Sequence, residues 1–274
     1  MMKDTADWGA NFSSSTMAAY DEALVEPLFV PWAEDLLESV GVRPGDAVLD
    51  VACGPGTVAR LAAAQVGSAG AVVACDLSEE MLSIARAKDD VGGAAIDYRS
   101  SPAEALPVAD DSFDVAVCQQ GLQFFADRVG ALTELHRALR DGGRVGVSVW
   151  CEIAMCEPFA ALDAAIAEVL GPDAAAAYRN GPWGFADGPL LEDELNTAGF
   201  ADVQVSRDEM VVVFDDPDHL IRTLGAAPVG AQIDQLDPDD RRDFIEAVEK
   251  LTSTLIDGGA LRGVTTSHTA TGIA

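Results

Sequence analysis

In the stretch LDVACGPGTVAR, residues 49–60, an aspartate at position 50 stands just ahead of a glycine turn, and a second aspartate, Asp76, closes the apolar run AVVACDL. Gly54, Gly56 and Ala59 fit the G-x-G-x-x-G/A spacing that lets a backbone approach a nucleotide at a helix N-terminus. An acid at the end of a second strand, as at Asp76, can accept both hydroxyls of a ribose, so it points to a nucleoside without choosing between cofactors. Asp50 bears on that choice. Beside a pyrophosphate it adds a further negative charge, whereas beside a cationic ligand it accepts hydrogen bonds from an ammonium group and favours a nearby positive centre. On these residues alone a nicotinamide dinucleotide and a cationic ligand both stay open.

The surrounding pattern must place these groups. Apolar runs at 47–52, 71–77, 95–100, 113–120 and 144–150 alternate with helical segments at 57–66, 78–88 and 131–140. Continuous apolar strands alternating with amphipathic helices predict a doubly wound, mostly parallel α/β sheet covered on both faces. Ahead of it, residues 1–15 are polar and read as a flap, and MAAYDEALVEPLFVPWAEDLLESV predicts two short helices broken at Pro27 and Pro31. After Trp150 the rhythm changes to further helices, with strands expected in ADVQVSRDEMVVVF and TTSHTATGIA. The expected division is a flap with helices over 1–40, a nucleotide-binding core over 41–150, and a helical cap with the last core elements over 151–274.

Composition narrows the partners. With 46 acidic against 17 basic residues, the formal charge of −29 repels a nucleic-acid backbone. No run approaches a membrane span and the first residues lack a signal-peptide pattern, so a soluble, cytoplasmic chain is expected. Cys53, Cys75, Cys118, Cys151 and Cys156 form no C-x-x-C pair and read as free thiols, with no metal site expected. A small-molecule substrate is the expected partner, and the sequence leaves room for a homodimer.

Four segments, VLDVACGPGTVAR, VVACDLSEEML, SSPAEALPVADDSFDVAVCQQGLQFFAD and ALRDGGRVGVSVW, resemble in order and spacing the successive motifs of class I S-adenosylmethionine-dependent methyltransferases. The branch is the small-molecule one called methyltransferase type 11, similar to quinone C-methyltransferases. The likeness covers roughly residues 40–150, and LLEDELNTAGFADVQV resembles the family's last core helix and strand. It implies a seven-stranded Rossmann-like methyltransferase fold with an N-terminal helical flap and a helical cap after the fifth strand. It implies S-adenosylmethionine as cofactor and O- or C-methylation of a small, mainly apolar molecule. The readings set against it are an NAD(P)-dependent oxidoreductase and a cofactor-binding protein of the same fold without methyl transfer.

Carried onto this sequence, the resemblance implies that Asp50, Ala52, Cys53, Gly54 and Gly56 surround the methionine part of the cofactor. Asp76 would hold the ribose, with Leu77 and Met81 against the adenine. Ser101, Ala103 and Glu104 would meet the adenine edge, although Pro102 replaces the aspartate usual there. Cys118 and Gln119 would border the sulfonium, and Tyr20, in the N-terminal helix, would meet the cofactor carboxylate. The family often has histidine after the fourth strand, where this chain has GLQFF, and Gln123 cannot serve as a base near neutral pH. The catalytic role is therefore unassigned, with His219, Tyr20 and Gln123 as candidates and His136 and His268 read as structural. Trp8, Phe12, Trp32, Phe124, Phe125, Trp183 and Phe185 are the aromatics from which a substrate pocket could be walled.

Overall fold

The computed structural model describes residues 14–89 and 91–274. Its centre is a parallel run of strands: β1 (Ala47–Val51), β2 (Ala71–Asp76), β3 (Ile96–Ser100), β4 (Phe113–Gln119) and β5 (Leu139–Trp150). Two long strands, β6 (Ala201–Phe214) and β8 (Ala260–Ile273), complete the sheet, β8 lying antiparallel between β5 and β6. The order is β3-β2-β1-β4-β5-β8-β6. A two-residue strand, β7 (Ile256–Asp257), pairs with β8 across Gly258 and Gly259, whose φ values of 62° and 93° suit a tight hairpin turn. The described sheet thus has eight strands rather than the seven expected.

The apolar runs explain why this sheet is central. Val48, Leu49, Val115, Val117, Val145 and Val147 are all fully buried, because helices cover both faces. On one face lie α2 (Val30–Val40), α3 (Thr57–Val66) and α4 (Glu79–Ala87), packed through Leu36, Leu37, Ala62 and Leu82. On the other lie α5 (Arg128–Ala138) and α8 (Gly188–Thr197), packed through Leu132, Leu135, Leu191 and Leu195. Arg128 forks onto Glu194 at 2.6 and 2.9 Å and stacks 4.3 Å from the Phe185 ring, fixing α5 against α8.

A further cluster builds the cap from α6 (Glu157–Val169), α7 (Pro172–Arg179), α9 (Pro217–Arg222), α10 (Pro228–Asp234) and α11 (Pro238–Thr252). Proline opens α7, α9, α10 and α11 or lies in the first turn of α6, where its missing N–H costs no helical bond. Leu24, Leu28 and Phe29 of the N-terminal arm join the same cluster, so the arm and the cap share a core.

The arm corrects the sequence expectation. Instead of two helices broken at prolines, α1 (Ser14–Tyr20), a π-helical segment (Asp21–Phe29) and α2 follow one another without a break. Pro27 cannot donate and crowds the preceding turn. The wider π spacing accommodates it, as in the Val30 N–H bond to Val25 O, and His219 Nε2 meets Ala23 O at 3.1 Å. Pro31 falls in the first turn of α2 and breaks nothing.

Candidate functional site

β1 runs to Asp50 and Val51, and the chain then turns sharply into α3. Three residues in this turn have left-handed backbones: Ala52 (φ 59°), Gly54 (52°) and Gly56 (80°). At Gly56 a side chain would also be crowded, because a Cβ there would meet the Tyr98 hydroxyl at 2.6 Å and Ala85 Cβ at 3.2 Å. At the end of β4 Gln120 is left-handed too, with φ 53°. Strained non-glycine residues therefore flank the point where β1 and β4 diverge, which is the switch point of the sheet and the expected place for a ligand.

A cleft of about 300 Å³ opens there, lined by Tyr20, Phe29, Asp50, Ala52, Cys53, Gly54 and Gln119 among others. Asp50 is 1% exposed. Its Oδ2 accepts the Ala59 N–H at 2.9 Å, capping the first turn of α3, while Oδ1 is buried with no hydrogen-bond partner. Burial, with the neighbouring Asp76 charge adding to it, pushes the Asp50 carboxyl up to about 7 against the pull of the Ala59 amide. Asp76 accepts from Gly54 N at 2.7 Å and Ser78 N at 2.8 Å, so it braces the glycine turn and the start of α4 together. Ser78 caps α4 through the Met81 N–H.

The remaining predicted contacts divide. Asp76 and Ser101 stand side by side, since Ser101 N–H donates to Asp76 O at 3.0 Å, and Leu77 beside them is 64% exposed. Neither they nor Met81, Ala103 and Glu104 are among the residues that line the cleft. Of the two residues expected at the sulfonium, Gln119 lines the cleft, whereas Cys118 is buried in the core with Gly121 beside its Sγ and does not line it. Gln119 Nε2 donates to Phe29 O at 3.0 Å and ties the arm to β4. Lys88 Nζ, 2.6 Å from Asp21 Oδ1, ties it to the end of α4.

Beyond Tyr20 and Phe29, whose rings stack at 5.0 Å, lies a second cavity of about 570 Å³. Leu24, Leu28, Trp150, Phe159, Tyr178 and Trp183 supply much of its wall, and Gln120 and Gln123 are its buried amides. No acidic or basic side chain lines it among the described residues. Of the aromatics expected around a substrate, Phe124 and Trp183 are here. Trp32 and Phe185 are core, Phe125 packs on the sheet cluster, and Trp8 and Phe12 lie outside the described residues. Phe29, Gln120, Trp150 and Tyr178 were missed. Of these only Gln120 left a trace, as half of a polar pair closing the apolar β4 run.

The catalytic candidates also separate. His219 lines neither cavity: Nε2 meets Ala23 O and Nδ1 accepts from Asp215 N at 3.3 Å, so both ring nitrogens are engaged. Tyr20 lines both cavities, but burial and the Asp76 charge hold its phenol proton far above the usual range, so it donates and does not act as a base. Gln123 is 4% exposed on the chamber wall with its Oε1 unpartnered. His136 packs against Phe200, and His268 lies beneath Gly188. All five cysteines are buried and free.

A glycine turn at the switch point, with carboxylates closing β1 and β2, defines a Rossmann-like nucleoside-binding architecture. Residues 49–147 match the family described as methyltransferase domain. It is 40% identical over 124 residues to the ubiquinone/menaquinone biosynthesis C-methyltransferase UbiE of Xanthomonas campestris pv. campestris, covering 44% of this chain and 49% of that protein. It is 38% identical over 130 residues, 47% of this chain and 46% of the relative, to an uncharacterized protein of Mycobacterium tuberculosis. The matched stretches thus span about half the length of these curated relatives. Phosphoethanolamine N-methyltransferase 2 of Haemonchus contortus, solved in complex with S-adenosyl-L-methionine, shares the fold at a TM-score of 0.62 and 16% identity, over 99% of this chain and 60% of that chain. No helix among the described residues is long and apolar enough to cross a membrane.

Proposed function

We propose that the protein is an enzyme that binds S-adenosylmethionine in the cleft and transfers its methyl group to oxygen or carbon of a small, mainly apolar molecule in the adjoining chamber. The observation that carries this reading is Asp50 Oδ1, a buried carboxylate oxygen with no partner at the edge of the cleft. Such an atom calls for a cation, and the ammonium and sulfonium groups of the cofactor supply positive charge where a dinucleotide would supply phosphate. A pyrophosphate would face Asp50 and Asp76 with no basic side chain on the described cleft wall, and Asp50 Oδ2 already takes an amide at the start of α3. The nicotinamide reading loses on charge.

In this reading Asp50 takes the ammonium group and Tyr20 donates to the carboxylate. Asp76 has lone pairs left for the ribose hydroxyls after its two amide bonds. Leu77 and Met81 cover the adenine, and Ser101, Ala103 and Glu104 border its edge. Ala52, Gln119 and the backbone at Gly54 and Gly56 close around the sulfur end. When bound, the sulfonium supplies an activated methyl group, so the chain has to bind, align and exclude water. The Tyr20–Phe29 pair separates cleft from chamber and governs that alignment. With no acid, histidine or lysine among the described residues of the chamber wall, an acceptor that reacts without a strong base, such as an activated carbon or a phenol, suits it best. The division by role is arm 1–40, core 41–150 and cap 151–274.

Titration calorimetry with S-adenosylhomocysteine and with NADH tests the cofactor. Micromolar binding of the first and none of the second is expected, and the reverse result overturns the proposal. A methyl gain on a panel of phenols and quinols, read by mass spectrometry, then separates transfer from binding alone.

A further inference from the structure

Gln120 stands in the chamber wall with one end of its amide tied down. Its Nε2 donates to Ser267 Oγ at 3.0 Å, and Ser267 Oγ donates in turn to Val149 O at 2.9 Å. The hydroxyl has one proton and a backbone carbonyl only accepts, so Ser267 meets Gln120 as an acceptor. This chain of bonds decides which end of the amide faces the hydroxyl. Oε1 is the end left over. It is buried without a partner on a residue 6% exposed that lines a mainly apolar cavity. The backbone is held left-handed to put it there, with Gln120 N–H bonded to Ser148 O at 2.9 Å. A buried acceptor without a donor and a strained backbone are both costly, and their coincidence beside a cavity calls for a donor that arrives with a ligand.

We propose that Gln120 determines the specificity of the chamber, its Oε1 taking a hydrogen bond from a hydroxyl or N–H of an uncharged acceptor molecule. The proposal rests on the chamber being the acceptor site of the function proposed above. The wall selects by exclusion as well. A carboxylate or phosphate finds no cation among the described lining residues and meets the Oε1 lone pairs, and an ether or hydrocarbon leaves Oε1 unpaired. Gln123, on the same wall with its own Oε1 free, serves a second polar hydrogen of the same molecule.

The test is calorimetric titration of the full chain with 1-naphthol, 1-methoxynaphthalene and 1-naphthoate, three probes of similar shape that differ in the polar group. The wild type is expected to bind the naphthol about tenfold more tightly than the ether and the naphthoate weakest of the three. Gln120→Met is expected to bring the naphthol down to the affinity of the ether while leaving the ether unchanged. Gln120→Asn repeats the test with a residue that suits a left-handed backbone better and draws the amide back by one methylene. Equal affinity for naphthol and ether in the wild type, survival of the tenfold difference in a folded variant, or no binding of any probe overturns the proposal. S-adenosylhomocysteine titrated alongside keeps the two readings apart, because its failure to bind removes the cofactor and leaves the naphthol comparison standing.

Discussion

The cleft and the chamber share one wall, Tyr20 and Phe29, and differ in almost everything else. The charged part of the cleft is made locally: Asp50 caps a helix that starts a few residues on, and Asp76 reaches Gly54 across one neighbouring strand, while Tyr20, Phe29 and Gln119 come in from the arm and β4. The chamber is made at long range, from the arm, the end of β5, three cap segments and an amide that is oriented from β8. One places charge beside a ligand and the other withholds it. Chemistry borne by a cofactor needs little more from the chain than this pairing, a polar holder set against a mainly apolar, shaped room.

The shared wall is where the comparison breaks most easily. Phe29→Ala removes a buried ring stacked on Tyr20 and 6.3 Å from Trp150. It should cost about 3 to 4 kcal/mol in urea unfolding and should join the two cavities. Binding of S-adenosylhomocysteine and of naphthol should then weaken together. Loss of one with the other intact would show that the wall serves a single cavity.

Asp50→Asn acts next, and in opposite directions on fold and ligand. The folded Asp50 carboxyl titrates near 7, whereas an unfolded chain ionises it near about 4. Between those values the unfolded chain has lost a proton that the folded one retains, so stability falls as pH rises and the loss is complete above pH 7. Asparagine does not ionise. The variant should gain on the order of 4 kcal/mol at pH 8 and almost nothing at pH 4, measured by denaturant unfolding. In the wild type, S-adenosylhomocysteine should bind roughly tenfold more tightly at pH 8 than at pH 6 as Asp50 ionises, and the variant should bind weakly and with a flatter profile.

Asp76→Ala should weaken that ligand by about 1.5 to 3 kcal/mol. It should also lower stability by about 1 to 2 kcal/mol, because Gly54 and Ser78 lose the carboxylate their amides donate to. A stability loss with unchanged affinity would make Asp76 a brace for the turn and nothing more.

The same contrast of local against distant contacts explains what the sequence could show. The strands and helices of the core follow from short apolar periods, and the glycine turn with Asp50 and Asp76 was legible because every part of it is signalled within one strand–helix–strand unit, β1 to β2. The resemblance to methyltransferases reached the cleft for the same reason. Phe29 and Trp150 look like any core aromatic, and the pairing of Gln120 with Ser267 joins residues 147 apart. The continuous arm was unreadable because Pro27 signals a break, and the partner that satisfies Ala23 O, His219, is 196 residues away from it. The Gly258–Gly259 hairpin was a local signal left unread.

Gln123 carries the smallest effect and sharpens the comparison on the chamber side. Its amide is buried and its Oε1 has no partner, so in the free protein it is a liability, as Asp50 is in the cleft. Gln123→Leu replaces it with an apolar group of similar size and should raise stability by about 1 kcal/mol in urea unfolding. Because Gln123 faces only the chamber, binding of S-adenosylhomocysteine should stay within about twofold, and that of a two-hydroxyl probe such as 1,4-dihydroxynaphthalene should weaken a few-fold. A gain in stability without loss of the probe would mean that the amide does not meet the acceptor. A gain with that loss would show the same exchange in both cavities: a polar group kept at a cost to the fold because a ligand completes it.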